Sequence, residues 1–198
     1  LRLIVLDNFM FKEAMMPINN SIMAAVLARN QYATAFLILG KYLKLLFIPY
    51  PLCWDYSYNQ IPVVSWHDAG AIISLLCYCG LAIYAGIRIW KKDIIAFAIA
   101  FYLITFFVST NLTVKIGATL GERLLFIPSL GFCIAMAFFL SLPAKKRGRI
   151  GRSVSLALAV AIIAAYTAIS RDRNLDWKDG YTLFSNDIHT SPRSARMH

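Results

Sequence analysis

Of 198 residues, 59% are hydrophobic and 15% charged, and the mean hydropathy is +0.61; a water-facing surface needs charge along the whole chain, so a soluble globular domain is excluded. The net charge of +10, from twenty Lys and Arg against ten Asp and Glu, is not gathered into the single basic stripe that nucleic acid requires, and no nucleic-acid partner is expected. Arg88, Lys91 and Lys92, then Lys145, Lys146, Arg147, Arg149 and Arg152, occupy short gaps between apolar runs, as the cytoplasmic loops of membrane proteins do. Membrane lipid is therefore the first expected partner.

The chain opens on Leu1 without the basic, apolar, small-residue order of a signal peptide and ends at His198, so it reads as a piece of a longer polypeptide. Residues 1–32 are expected as an external loop or helix. From Ala33 to Ile48 an apolar stretch is broken by Lys41 and Lys44, three residues apart on one helical face. Charges are costly at bilayer mid-depth, which favours an interfacial or re-entrant helix with both ammonium groups at the headgroups. A fifth full span is the alternative; it would put residues 1–30 in the cytoplasm, with Arg2, Lys12 and Arg29. Pro49 and Pro51 end the segment, and residues 33–68 form one unit with the loop that follows.

Four later runs, 69–87, 94–111, 124–142 and 153–170, are long enough for transmembrane helices, which need roughly 17–25 mainly apolar residues. Only a helix satisfies its own backbone in hydrocarbon, and strand-like alternation is absent, so residues 69–170 are predicted as four spans of an all-α polytopic bundle. Gly80, Gly86 and the small residues from Ala157 to Ala168 suit close helix contact. With the basic gaps 88–93 and 143–152 in the cytoplasm, residues 49–68, 112–123 and everything after 170 lie on the external side. There Trp177, Tyr181, Phe184 and Ile188 recur at helical spacing, which predicts an external amphipathic helix within 171–198. Pro192 stops it, and the stretch from Ser194 to His198 looks like the opening of a second helix; helix pairs with a proline at the junction are what tetratricopeptide repeats look like.

Two external loops hold residues with chemical capacity. The first, Pro51 to Pro62, sets Asp55 among Trp54, Tyr56, Ser57, Tyr58, Asn59 and Gln60. A carboxylate and amides beside aromatic faces suit a sugar, which offers an apolar C–H face and a rim of hydroxyls; an aromatic belt at the membrane surface is the equal alternative. The second loop runs from Asn111 to Arg123 and enters the third span, where Pro128 is expected to kink the helix. Arg123 at the outer mouth of that span can clamp a phosphate through its planar fork of donors, whereas a Glu122–Arg123 helix-end pair would only snorkel. Asn111-Leu112-Thr113 matches the N-glycosylation pattern but stands against the membrane. No metal site is expected: Cys77-Tyr78-Cys79 lacks ligand spacing, the three histidines are scattered, and His67 beside Asp68 reads as a loop residue. All four cysteines read as passive apolar residues.

The series Tyr42-Leu43-Lys44-Leu45-Leu46, Pro49, Leu52, Asp55-Tyr56-Ser57 and Ile61-Pro62, followed by Ser109-Thr110-Asn111-Leu112, Gly117 and the block Glu122-Arg123-Leu124-Leu125-Phe126-Ile127-Pro128-Ser129-Leu130-Gly131-Phe132, resembles the transmembrane and tetratricopeptide-repeat-containing family of O-mannosyltransferases and its bacterial relatives. The resemblance covers residues 17–198 and is most specific in the last block. It implies the C-terminal part of a GT-C-like membrane bundle followed by the start of an external repeat region. It further implies an enzyme that moves a mannose-like sugar from a polyprenyl-phosphate donor to a protein acceptor on the external face. Carried over residue by residue, it implies Arg123, helped by Lys115, at the donor phosphate, with Asp55, Tyr56, Ser57 and Glu122 lining the substrate cavity. No cofactor is implied for these residues, with room for a divalent metal in the full-length protein. In the family the acidic pair proposed as catalytic lies in an external loop upstream of Leu1, so no residue here is expected to act as general base.

The phrasing of these motifs leans toward a bacterial inner membrane rather than an endoplasmic reticulum. A non-catalytic membrane anchor that displays a repeat array to protein partners is the second functional class; an upstream acidic pair separates the two. A transporter is disfavoured, because the four runs carry no charge at mid-depth. The purified 198-residue chain, given a polyprenyl-phosphate sugar and an acceptor protein, is expected to transfer no sugar above background in a radiolabel assay; measurable transfer overturns the reading.

Overall fold

The computed structural model describes residues 19–194 apart from 55, 58, 114 and 147. Asp55, Tyr58, Arg2, Lys12 and the tail end Ala195 to His198 therefore lie outside the described residues. Among those described the secondary structure is all helical, with α1 (Ala28–Phe47), α2 (Ala69–Arg88), α3 (Ile94–Phe106), α4 (Ser129–Lys146), α5 (Gly148–Asp176) and α6 (Gly180–Thr190). Local chemistry sets several of the starts. Asp68, Asp93 and Asp179 each turn a carboxylate back onto the first free N–H groups of α2, α3 and α6, at 3.0, 2.9 and 2.8 Å, satisfying donors that a helix cannot satisfy itself. Between α2 and α3 the chain reverses through Lys92 in the left-handed region, φ 54°.

Helices α2 to α5 pack in sequence as neighbours, and α1 lies on α2. The 23-residue helical run Ala69–Lys91 and the 29-residue α5 are long and apolar enough to cross a membrane, and their apolar windows are only 22% and 0% buried by the rest of the chain. Apolar surface of that extent, turned outward, requires hydrocarbon around it: the chain is a membrane protein. Helix α5 is about 43 Å long at 1.5 Å per residue, more than a bilayer core, so its end carries Arg171, Arg173 and Asp176 beyond the apolar stretch. Ile94–Thr110 and Ser129–Lys145 form two shorter apolar helical runs.

Two expectations change. Helix α4 begins at Ser129, and residues 122–125 form a 3-10 turn; Pro128 precedes the helix, where its missing N–H costs nothing, and the proline within α4 is Pro143. Gly80 and Gly86 have open space in front of them, and most of the small residues from Ala157 to Ala168 are exposed. Close approach is made instead by Gly40 against Ser74 and by Gly131, where an added Cβ would stand 2.5 Å from the Ala98 carbonyl oxygen and 3.0 Å from the Tyr102 nitrogen. Helix α6 turns an acidic residue inward. Its buried side chains are Leu183 and Asp187, while Tyr181 is 84% and Trp177 56% exposed; the partners that draw Asp187 inward are described below.

Helix α1 is the most enclosed element. Ala33, Ala35, Ile38, Leu39 and Tyr42 are buried against α2 and α3, Tyr42 packs edge-on to Phe106 at 4.8 Å, and the Tyr78 hydroxyl bridges the Leu39 carbonyl at 3.2 Å and the Tyr102 hydroxyl at 2.7 Å. Leu37 meets Gly70 and Gly40 meets Ser74, so α1 runs in the same direction as α2, its second half beside the first half of α2. After Phe47 the chain turns back, and by Val64 it is again beside Thr34, whose hydroxyl accepts the Val64 N–H at 3.0 Å. Thirteen residues of helix separate Thr34 from Phe47, so the return covers about 20 Å. Lys41 and Lys44 are both exposed.

Gly131→Ala forces Cβ against backbone atoms that cannot rotate away, and overpacking of this kind costs about 1–3 kcal/mol. A lowered unfolding temperature in detergent is expected for Gly131→Ala, against no loss for Gly86→Ala; equal behaviour of the two variants overturns the assignment of Gly131 as the α3–α4 contact.

Candidate functional site

A groove of about 1050 Å³ runs between α4 and α5. Its walls are Phe132, Met136, Leu140, Leu156, Ile163 and their neighbours, almost wholly apolar, and one end is closed by Leu45, Leu46, Pro49 and Leu52 together with Glu122 and Arg123. Ala144 and Arg152 mark the opposite end; from Ser129 to Ala144 is about 22 Å along the helix axis. The end of α1 seals the groove through two contacts: Phe47 packs edge-on to Phe132 at 4.9 Å, and the Tyr166 hydroxyl donates to the Leu46 carbonyl at 2.8 Å.

Arg123 and Glu122 stand side by side in sequence but play different parts. Among the described residues the Arg123 side chain makes no ion pair or hydrogen bond, so the helix-end pair does not form. Its exposed guanidinium is free to meet an anion at the groove end. Glu122 instead faces the first loop: Oε1 accepts the Cys53 N–H at 2.7 Å and the Tyr56 hydroxyl at 2.9 Å. Burial pushes the Glu122 carboxyl above its ordinary 4.5, the two hydrogen bonds offsetting only part of that. Burial and the neighbouring Glu122 charge push the Tyr56 phenol up as well, so Tyr56 stays a neutral donor.

The other expected site residues are dispersed. Ser57 is 1% exposed and shares a hydrogen bond of 2.8 Å with Ser194, facing the tail rather than the groove. Lys115 donates to the Asn111 carbonyl at 2.6 Å and lies over the Tyr32 ring at 5.5 Å, away from the groove lining; burial lowers the pKa of its ammonium. Asn111 is 1% exposed. Its side chain accepts from Asn20 at 3.0 Å and from the Ile116 N–H at 2.9 Å and donates to the Ala118 carbonyl at 3.2 Å, so the glycosylation pattern there is spent on the fold. Among the described residues no three His, Cys, Asp or Glu side chains could hold a metal ion.

Sequence reasoning missed Asp187, Arg173 and Cys53. Asp187 is 1% exposed; it takes both terminal nitrogens of Arg173, at 2.6 and 3.0 Å, and the Trp54 N–H at 2.6 Å. The Asp187 contact is the main reason the Arg173 guanidinium holds its proton more tightly than usual. The Cys53 thiol lies 3.0 Å from the Ser191 hydroxyl. The available signal was the four-residue spacing of Leu183 and Asp187, which puts a carboxylate on the same helical face as an apolar side chain. A second cavity of about 390 Å³ adjoins this cluster and shares Leu52 with the groove.

The chain is similar over most of its length to curated proteins. It is 26% identical over 161 residues to Protein O-mannosyl-transferase Tmtc3 of Drosophila melanogaster, covering 78% of this chain and 17% of that protein. With Protein O-mannosyl-transferase TMTC1 of Mus musculus the figures are 26% over 181 residues, 85% and 19%; with Protein O-mannosyl-transferase TMTC4 of Mus musculus they are 28% over 163 residues, 78% and 21%. The chain spans about a fifth of the length of the relatives it matches. No family model matches, and no solved structure matches.

Glu122→Ala leaves a backbone N–H and a phenol without their acceptor, at about 1–3 kcal/mol for each buried group; Glu122→Gln keeps an oxygen for both. Because the folded carboxyl titrates above its ordinary 4.5, its contribution is complete below that value and is lost as pH rises through the raised one. Denaturation in detergent across this window is expected to show the unsubstituted protein losing stability relative to Glu122→Gln as pH rises; parallel curves overturn the burial assignment.

Proposed function

We propose a function from one premise: over most of its length this chain is a homologue of the TMTC proteins, which are named O-mannosyl-transferases. It forms part of a membrane glycosyltransferase that moves a mannose-like sugar from a polyprenyl-phosphate donor to a protein acceptor. The carrier's hydrocarbon lies in the groove between α4 and α5, and Arg123 takes the phosphate. The observation that carries this reading is the juxtaposition of an unpaired guanidinium with an apolar groove of about 1050 Å³. A lipid phosphate needs both at once: a planar fork of charged donors for the anion, and an apolar wall along which the tail can leave.

The orientation that supports this puts the basic ends, with Arg88, Lys91, Lys92, Lys145 and Arg149, in the cytoplasm and Arg123 on the other side. Helix α1 then enters from the external side and the chain returns to it, a re-entrant path supported by the Val64–Thr34 contact. Where the backbone leaves helical form there, protein acceptors take its N–H groups: Lys44 that of Ile48, Glu122 that of Cys53 and Asp187 that of Trp54. No residue of this chain is assigned a proton-transfer role.

Arg123→Ala in the full-length protein removes a charge-assisted contact worth about 1.5–3 kcal/mol. The Michaelis constant for the polyprenyl-phosphate sugar is expected to rise roughly 10- to 100-fold, with Arg123→Lys between the two because a point charge replaces a bidentate fork. Unchanged donor kinetics in a folded Arg123→Ala protein overturns the phosphate assignment.

A further inference from the structure

Outside the groove, a set of enclosed polar groups lies where α6 meets the first loop. Consecutive backbone N–H groups of that loop are held in two directions: Cys53 by Glu122 at 2.7 Å, and Trp54 by Asp187 at 2.6 Å. Asp187 is in turn fixed by the fork of Arg173, which also holds Asp176 at 3.0 Å. The same short segment supplies Pro49 and Leu52 to the groove, and Trp54 packs edge-on to Phe184 of α6 at 5.4 Å. A buried ion pair is a poor way to secure one helix on another, since apolar side chains of the same volume would do so without desolvating two charges. What an apolar residue could not do is accept the Trp54 N–H while anchored to α5.

We propose that Asp187 is a positioning residue for donor binding: held by Arg173, it keeps the segment 49–54 in place as the outer wall of the groove, so that α6 and the site at Arg123 are coupled. The proposal rests on the reading that the groove takes a polyprenyl phosphate. The coupling runs through bonded atoms, Arg173 to Asp187, Asp187 to the Trp54 amide, and the adjoining Cys53 amide to Glu122, beside Arg123. Freeing Asp187 therefore loosens the wall without touching the guanidinium that meets the phosphate.

Two cysteines report the two halves of this arrangement. Cys53 is 2% exposed beneath the tail, and Cys133 is exposed in the groove wall. In full-length protein with every other cysteine replaced, the rate of N-ethylmaleimide labelling at Cys53 measures release of the segment, and protection of Cys133 by added polyprenyl phosphate measures occupancy, with inorganic phosphate as the control. Asp187→Ala is expected to label Cys53 about tenfold faster and to raise the half-protecting polyprenyl phosphate concentration at Cys133 about tenfold. Asp187→Asn, which keeps an oxygen for Trp54, is expected to fall between and carries the test if the alanine variant does not fold. Turnover at saturating donor stays unchanged while the donor Michaelis constant rises. If Cys53 opens and the Cys133 half-point does not move, the positioning role is overturned and the groove reading stands. Unchanged Cys53 labelling overturns it too, and a Cys133 never protected in the unsubstituted protein sinks both readings together.

Discussion

Irregular backbone lying against an apolar bundle must have its N–H and C=O groups satisfied by protein, because the surroundings offer little water to do it. In this chain two loops meet that demand through a handful of enclosed side chains. Tyr42 takes the Gly121 N–H at 2.8 Å, Thr34 the Val64 N–H at 3.0 Å, Asn111 the Ile116 N–H at 2.9 Å, Thr119 the Ser21 N–H at 2.8 Å, Glu122 that of Cys53 and Asp187 that of Trp54. Apart from Asn111, which serves its own loop, each of these residues sits on one segment and serves another, so long-range contacts add to the loops' own turns. That is why the groove end, built from parts of four separate segments, has a defined shape.

The helices themselves are held differently. Where lipid surrounds the helices, burial of apolar side chains supplies little net drive, and association depends on close packing and on hydrogen bonds between helices. Gly131 brings α4 onto the backbone of α3, Gly40 brings α1 onto Ser74, and the Tyr78–Tyr102 hydroxyl pair ties α2 to α3 with the Leu39 carbonyl of α1 as a third member. The return of the chain after Phe47 is a product of this packing. It puts Leu46, Pro49 and Leu52 at the head of the α4–α5 groove, next to the turn that carries Arg123.

Glu122 and Asp187 link these two modes of stabilisation. Both are acidic groups removed from water, and both hold the same loop from opposite sides, one from the turn before α4 and one from the tail. A carboxylate in such a position is stable only with its acceptor capacity filled, which Asp187 achieves through Arg173 and Trp54 and Glu122 through Cys53 and Tyr56. The tail thereby holds the loop that closes one end of the groove.

Sequence alone determined the medium and the elements, because both depend on local composition: apolar runs at 69–87 and 153–170 became long outward-facing helices, and Arg123 stood out as a cation entering an apolar run. Periodicity also located a helix near residues 180–190, but gave no sign that Asp187 is buried in it. Burial of Asp187 depends on Arg173, fourteen residues away in another helix, and no local pattern encodes that distance. The separation of Glu122 from Arg123, the use of Ser57 and Asn111 as structural bonds, and the path by which residues 48–64 return along α1 were likewise decided in three dimensions. The partners that decide these roles, Ser194 for Ser57, Asn20 for Asn111 and Thr34 for Val64, lie far along the chain, and only the folded arrangement brings them near.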